Sequence, residues 1–593
     1  MRLVIDIETN GLPRQGLDRI HCLVVMDLDT NQVFRFNSTG RDRPIEEGVN
    51  LLAQAKLLVG HNIVGFDLPV IQQFYPTLEY KGEVIDTLIL SRLFYPDIRY
   101  RDLRRKLVHM PLKAYGRHTL EAWGYRLKKH KGDFGQMTDW AAWSPEMEDY
   151  CAQDVSVTER LFRVFEDQIA PYEQSIRTEH ECARIMTQQE RLGWPFDVAA
   201  AERLEGVLRG ESEQLADAMR ATFPYVAGDM MRPKKDHRGY GYIKNAPFTR
   251  LVEFNPTSRD HITWAFKTWR DWTPEEFTKT GKPSINDSIL MSIGTEESQA
   301  LGRLLKLQKT IGQLSEGKNA WLKQVTSAGR IHHSCQLATN TGRNTHSRPN
   351  LAQVPSDPRC RALFLPPQGM VQIGADASGL ELRMLGHYLA FFDGGRFASI
   401  AVNGDIHQIN ADAIGVSRKA VKAITYAFIY GAGDEKIGMT VNPLLKGKDA
   451  AKLGASVRRK FLQAIPGLSQ LLKAVKEKSQ TGVLKGLDGR PIRLQGAKHA
   501  ALNYLLQSAG AIVCKNWVTK THQNIESLGL RLGVDYQPLG FIHDEQQLAA
   551  TPTHAISIKK ILKETMPAVG TELQLKVPLA AEVQEGSNWA DCH

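Results

Sequence analysis

The segment FIHDEQQLAA, residues 541 to 550, most constrains how this chain can fold. It reads as an apolar β-type run interrupted by His543, Asp544 and Glu545. Desolvating an unpaired carboxylate costs several kcal/mol, so a strand bound for the core must bring two adjacent acids to water, to a basic partner or to a metal cation. A second apolar run, MVQIGADASGLELR, carries Asp376, with Glu381 five residues on.

Between the two lies SRKAVKAITYAFIYGAG. Ser417 can cap a helix whose first turns are basic, and Gly431 can end it. Arg418, Lys422, Tyr426 and Tyr430 recur every four residues and form one slowly winding stripe. Two cations followed by two aromatics on one face suit a triphosphate, then a sugar and base. The alternative is an exposed basic face above buried tyrosines.

The N-terminus repeats the problem of acids on apolar runs. In VIDIETNG, Asp6 and Glu8 are two apart on a strand, so their carboxylates share a face. A strand end with solvated acids would look the same. GHNIVGFD ends in Asp67, and YCAQD spaces Tyr150 and Asp154 four apart on one helix face. Asp86, in VIDTLIL, reads as a cap or ion-pair partner.

At 593 residues the chain is too long for one core, and about 150 residues per domain suggests three or four domains. Lys plus Arg number 75 against 65 acids, a net charge of +10. A polyanion is the natural partner, the more so if several acids cluster in metal sites. The seven cysteines are scattered without a CxxC pair, so neither zinc nor a disulfide framework is expected, and a reducing cytoplasm fits. Asp6 and Glu8 stand where a signal peptide needs its apolar segment, and no apolar run reaches membrane-span length, so no membrane association is expected.

The motifs DASGLELR, RKAVKAITYAFIYG and HDE, in that order, resemble motifs A, B and C of the family A DNA polymerases. The likeness is greatest to replicative polymerases of short-tailed phages and runs through EAWGYRL, FNPTSRDHI, TGRNTH, NLAQVP, GDIH, YGAGDEKIG, LKGLDGR and LLQSAG to NWADCH. The N-terminal set resembles the DnaQ-like, ribonuclease H-type proofreading nucleases in their Tyr-containing variant.

The resemblance implies template-directed DNA synthesis with 3′→5′ proofreading. Asp376 and Asp544, with the carbonyl of Ala377, would bind two Mg²⁺ ions, and Glu545 would support them. Asp6, Glu8, Asp67 and Asp154 would hold two further divalent cations, with Tyr150 positioning the attacking water; such ions demand hard oxygen ligands. Arg418, Lys422 and His407 would neutralise the triphosphate, Tyr426 would lie by the sugar and Tyr430 by the base, and Glu381 would exclude a ribose 2′-hydroxyl. Arg343, Asn503, Gln507 and His543 would contact primer–template DNA; minor-groove acceptors shared by all base pairs report shape without sequence.

The expected fold is α/β and α+β multidomain: a ribonuclease H-like exonuclease domain (1–170), then a right-hand polymerase. Its parts are a helical thumb region (171–330) with a short basic insertion at about 224–253, palm (331–388 and 500–593) and fingers (389–499), with the motif B helix at about 417–430. A single-subunit RNA polymerase has related motifs, but Glu381 and the nuclease domain disfavour it. A DNA-binding scaffold descended from a polymerase would not retain costly buried acids in both sites. Expected partners are primer–template DNA and dNTPs, with a replicative helicase-primase and a single-stranded DNA-binding protein as further candidates. The protein is expected to be a monomer in the cytoplasm, that of the host if phage-encoded. Some phage relatives recruit thioredoxin through a long thumb insertion; the corresponding interval here is short, so thioredoxin is not expected as a partner.

Overall fold

The computed structural model describes residues 1–13, 15–39, 43–107, 109–129, 140–274, 276–278, 280–429, 431–442 and 445–592. The chain divides into two compact units. One comprises Met1–Trp194, His332–Ala352 and Pro366–His593, the other Pro195–Ile331 and Gln353–Leu365.

In the first unit, the apolar run at the N-terminus forms strand Arg2–Thr9. Ile5, Ile7 and Thr9 are buried, whereas Asp6 and Glu8 are only half-buried on the opposite face, as the two-residue period of a strand requires. A six-stranded sheet runs Arg43–Pro44, Val33–Asn37, Ile20–Asp27, Arg2–Thr9, Leu57–Gly60, Glu83–Asp86 from edge to edge. Its inner strand Arg2–Thr9 lies antiparallel to Ile20–Asp27 and parallel to Leu57–Gly60. Helix Pro145–Ile169 packs on that strand and buries Cys151, Val155, Leu161 and Phe162; Ser144 caps it and Pro145 opens it. Asp86 acts as a cap: it accepts from the amide of Leu88 at the start of helix Thr87–Phe94 and from those of Asn62 and Val64.

The second sheet of this unit has the order Tyr536–Ile542, Glu545–Ala550, Val371–Ala377, Ala581–Gly586, all antiparallel. Every residue of its first two strands is buried, the three glutamines and Glu545 included. Helix Ala501–Ser527 is buried along most of its length, carrying Leu505, Ile512, Val513, Trp517 and Val518 into the core together with polar residues such as Ser508, Lys515 and His522.

The unit boundary falls at Trp194, beyond the change of pattern at Pro171. Helix Glu173–Leu192 stays with the first unit because its buried face carries Cys182, Ile185 and Met186 into the core around Ala501–Ser527. It also carries Glu179, which is fully enclosed. Lys515 Nζ lies 2.6 Å from one Glu179 oxygen and Arg490 contacts the other, while Arg490 Nη2 lies 2.6 Å from Asp488. Three separate segments are thus tied by two cations and two acids.

Between the halves of the second sheet lie helices Arg396–Asn403, Ile406–Ile414, Arg418–Ile429, Asp434–Val441, Gly447–Ala464 and Leu468–Ser479. Gly438 and Gly454 let two of these approach backbone to backbone: a Cβ at either would overlap the carbonyl of Ala450 or Asp434.

The second unit packs Val198–Thr222, Arg259–Trp269, Asp287–Ile293 and Glu296–Ile311 around Phe223, Phe254, Ile262, Phe266, Leu301 and Leu304. Asp197, Ser258, Asn286 and Thr295 cap these helices. The short basic insertion at 224–253 is a hairpin of Tyr225–Met231 and Phe248–Glu253. Its rings supply the order that its charges concealed: Tyr240 stacks on Tyr242 with centroids 5.8 Å apart, and Tyr242 on Phe248 at 4.8 Å.

The buried charge cluster generates a stability prediction. Lys515→Met leaves Glu179 with one cation and should cost about 3–5 kcal/mol, read as an earlier urea midpoint of the full chain. Adding Glu179→Gln should recover part of that loss. Strictly additive losses would show that the two residues do not act as a pair.

Candidate active sites in the first unit

The antiparallel register of the second sheet sets Asp376 directly opposite Glu545 on one side and Glu582 on the other. Asp544 occupies the two-residue turn that joins Ile542 to Glu545. His543, the other turn residue, has φ 60°, the left-handed conformation that a primed two-residue hairpin turn requires at its first position. The amide of Ala377 donates to the carbonyl of Asp544 at 3.1 Å, which fixes the end of the motif A strand against the motif C turn. The sequence-predicted acids Asp376, Asp544 and Glu545 therefore converge on one end of the sheet.

Glu545 is held differently from its neighbour. It is 4% exposed and accepts from Trp589 Nε1 at 2.5 Å and Gln547 Nε2 at 2.7 Å, and Gln547 in turn accepts from Gln372. Burial pushes the Asp544 carboxyl above the usual range, against the opposing effect of a backbone hydrogen bond and of the His543 and Arg343 charges. A cation reverses that cost by favouring the ionised form. An all-oxygen set of partly buried acids fits a hard divalent cation.

The helix expected at 417–430 runs Arg418–Ile429. Ser417 Oγ accepts from the amide of Ala420, and Gly431, at φ 74°, lets the amide of Ala432 bond back to Ala427. Arg418 and Lys422 are exposed, and Tyr426 is half-buried. Burial raises the Tyr426 hydroxyl, and the charges of Glu381 and Asp544 add to the effect, so this ring faces the acids of the sheet. His407, in helix Ile406–Ile414, is 8% exposed with its ring 6.4 Å from that of Tyr426. Tyr430 lies outside the described residues.

Arg343 Nη2 meets Glu381 Oε1 at 3.5 Å, joining a predicted DNA contact to the predicted ribose filter. Asn503 and Gln507 share one face of helix Ala501–Ser527. The buried thiol of Cys514 on the same helix is pushed well up by desolvation and then by Asp544 and Asp376, so this helix runs behind the acid cluster.

The second acid cluster lies on the six-stranded sheet. Asp67 begins helix Asp67–Phe74 and accepts from the amide of Ile7, the residue between Asp6 and Glu8. Burial holds its carboxyl far above the usual range, and the charges of Asp86 and Asp154 push the same way. Tyr150 and Asp154 project from helix Pro145–Ile169. Among the described residues Asp6 and Glu8 gather with Cys151, while Asp67 feels the charge of Asp154, and carboxylates so placed fit divalent cations for the same electrostatic reason.

Four residues emerge here that the sequence did not single out. Cys151 Sγ lies 3.4 Å from Asp6 Oδ2 and within 4.8 Å of Glu8, and burial keeps it a thiol rather than a thiolate. Trp140 packs edge-on against Tyr150, with centroids 6.4 Å apart. Trp589 holds Glu545, and Asp405 holds Arg418 at 2.7 Å. Cys151 stood within YCAQD, Asp405 within GDIH and Trp589 within NWADCH, each beside residues that drew the attention instead.

Comparison with known proteins agrees with this geometry. Residues 241–591 match the sequence model of DNA polymerase family A. The DNA-directed DNA polymerase of Enterobacteria phage T3 is 33% identical over 100% of both chains, and that of Escherichia phage T7 is 32% identical over the same extent. A solved polymerase domain of Pol1 from M. smegmatis, in complex with DNA primer-template and dNTP, covers 100% of this chain with 95% of its own, at TM-score 0.73 and 18% identity. That last likeness is one of fold. Full-length similarity to two phage enzymes, together with a family match over more than half the chain, establishes that this protein belongs to DNA polymerase family A.

Proposed function

We propose that this protein is a DNA-directed DNA polymerase that adds dNTPs to a primer 3′ end and removes mispaired ends with a separate 3′→5′ exonuclease site, in the manner of a phage replicative enzyme. The observation that carries the reading is the register placing Asp376 against Glu545, with Asp544 in the adjoining turn. Asp376, Asp544 and the carbonyl of Ala377 would hold two Mg²⁺ ions, and Asp6, Glu8, Asp67 and Asp154 two more divalent cations. Bound there, such ions lower the pKa of the attacking hydroxyl or water and neutralise charge on the phosphate. Glu545, tied to Trp589 and Gln547, orients the turn rather than supplying a ligand.

The remaining roles are carried over from the resemblance to the family. Arg418, Lys422 and His407 receive the triphosphate, Tyr426 meets the sugar beside Glu381, and Tyr430 meets the base. Arg343, Asn503, Gln507 and His543 touch the primer–template. Tyr150 orients the water that attacks the 3′-terminal phosphate. The protein works as a monomer in the host cytoplasm, alongside helicase-primase and single-stranded DNA-binding protein. No helix among the described residues is long and apolar enough to cross a membrane.

Two separate sites imply separable activities. Asp544→Ala should lower primer extension about a thousandfold or more while leaving degradation of single-stranded DNA. Asp6→Ala with Glu8→Ala should do the reverse. Loss of both activities in either folded variant would refute the two-site reading.

The Tyr426 hydroxyl can replace the hydrogen-bonding group that a dideoxy sugar lacks. Tyr426→Phe should raise discrimination against chain terminators by about tenfold, the worth of one hydrogen bond of ~1.4 kcal/mol. Competitive dideoxy-to-deoxy incorporation measures this, and an unchanged ratio would sink it.

The hairpin of the second unit bears Arg232, Lys234, Lys235, Arg238 and Lys244 in the connection between its strands and Arg250 on its second strand, and Tyr240, Tyr242 and Phe248 stack within it. Contacts to duplex phosphates from this hairpin would each add about 0.9 to the salt slope of DNA binding. Neutralising Lys234, Lys235 and Arg238 should shorten the product made per binding event, and thioredoxin should not stimulate synthesis. Trap-limited primer extension decides both points.

A further inference from the structure

Asp405 precedes helix Ile406–Ile414 and uses its two carboxylate oxygens for different tasks. Oδ1 accepts from the amides of His407 and Gln408, at 3.1 and 3.0 Å, and so caps the helix. Oδ2 accepts from Arg418 Nε at 2.7 Å, across to the first turn of the next helix. The pair is about half exposed, with side-chain exposures of 54% for Arg418 and 45% for Asp405. Around it stand Lys422 and the enclosed His407, whose Nδ1 has no hydrogen-bond partner among the described residues. Burial, then Arg418 and Lys422, holds that imidazole below its usual pKa, whereas Asp405 acts the other way. The cluster thus has three groups suited to a phosphate chain and one resident carboxylate.

We propose that Asp405 is a built-in anion that holds Arg418 until the incoming triphosphate displaces it, so that nucleotide entry is an exchange of one anion for another on the same guanidinium. This rests on the reading of Arg418, Lys422 and His407 as the triphosphate site. The exchange keeps Arg418 folded against its helix instead of free in solvent, and it opposes binding of every nucleotide alike. After release, the carboxylate remains on the amides of His407 and Gln408, which are donors whether or not Arg418 is present. Asp405 is therefore a positioning residue whose charge sets how tightly the phosphate chain binds, independent of base and sugar.

The test uses the full-length protein on a dideoxy-terminated primer–template. Two binding constants are measured, one for the next correct dNTP and one for inorganic tripolyphosphate as competitor. Asp405→Asn keeps an acceptor for the helix cap and removes the charge. It should tighten both ligands by about two- to fivefold, the span expected of a half-exposed ion pair, and the gain should shrink as salt rises. In the Arg418→Ala background the same substitution should have no effect. If Asp405→Asn weakens or leaves unchanged both constants while Arg418→Ala weakens them, the carboxylate is an orienting group or a plain cap and the exchange is refuted. Tightening of dNTP without tripolyphosphate refutes it as well. If Arg418→Ala changes neither constant, the triphosphate-site reading itself fails.

Discussion

Pairing of the strand Val371–Ala377 with Glu545–Ala550 is the interaction on which the polymerase site depends. One register brings Asp376 opposite Glu545 and lets the Ala377 amide close onto the Asp544 carbonyl. A slip of one residue would turn every side chain of the strand to the other face and separate the acids. The register is guarded by a buried polar line, in which Gln372 donates to Gln547 and both Gln547 and Trp589 donate to Glu545. Buried amides of this kind tolerate only one arrangement, because each donor left unmet costs about 1–3 kcal/mol. The cost of desolvating the Glu545 carboxylate is met inside the protein, whereas burial keeps the Asp544 carboxyl above its usual range.

The six-stranded sheet solves the same problem with different parts. There the strand Arg2–Thr9 presents two acids on one face, the first residue of one helix supplies Asp67, and the interior of another supplies Asp154. Asp67 gains the Ile7 amide, yet burial and two neighbouring acids outweigh it and keep its carboxyl high. The Cys151 thiol adds a weak donor to Asp6 without adding charge. Both sites are thus preorganised clusters of like charge, which is unfavourable for an apo protein and favourable for one that takes up divalent cations.

Around the acids, the elements differ in how firmly they are held. Helix Ala501–Ser527 is anchored by the Lys515–Glu179 pair and by burial along most of its length, so Asn503 and Gln507 ride on a rigid support. Arg418 and Asp405 sit at exposed helix starts and are held to one another by a single half-exposed ion pair. On the proposed roles, a rigid support suits Asn503 and Gln507 as reporters of base-pair shape, and an exposed pair of modest strength suits the exchange proposed for Arg418 and Asp405.

The linear chain determined the acids themselves, the alternation that puts Asp6 and Glu8 on one face, and the capped helix with its stripe of Arg418, Lys422 and Tyr426. Each of these follows from strand or helix periodicity over a few residues, or from motif order that resembles a known family. Tertiary structure alone decided what lies across a sheet or between distant segments. Trp589 reaches Glu545 over 44 residues, Arg490 reaches Glu179 over 311, and helix Glu173–Leu192 joins the first unit through Cys182, Ile185 and Met186. The interval 224–253 shows the same division. Its charges were legible, but its hairpin was not, because the order comes from ring stacking between Tyr240, Tyr242 and Phe248, whose mutual approach no local period announces. Local geometry repeats along the chain and can be read there; desolvation and partner choice depend on what folding brings near.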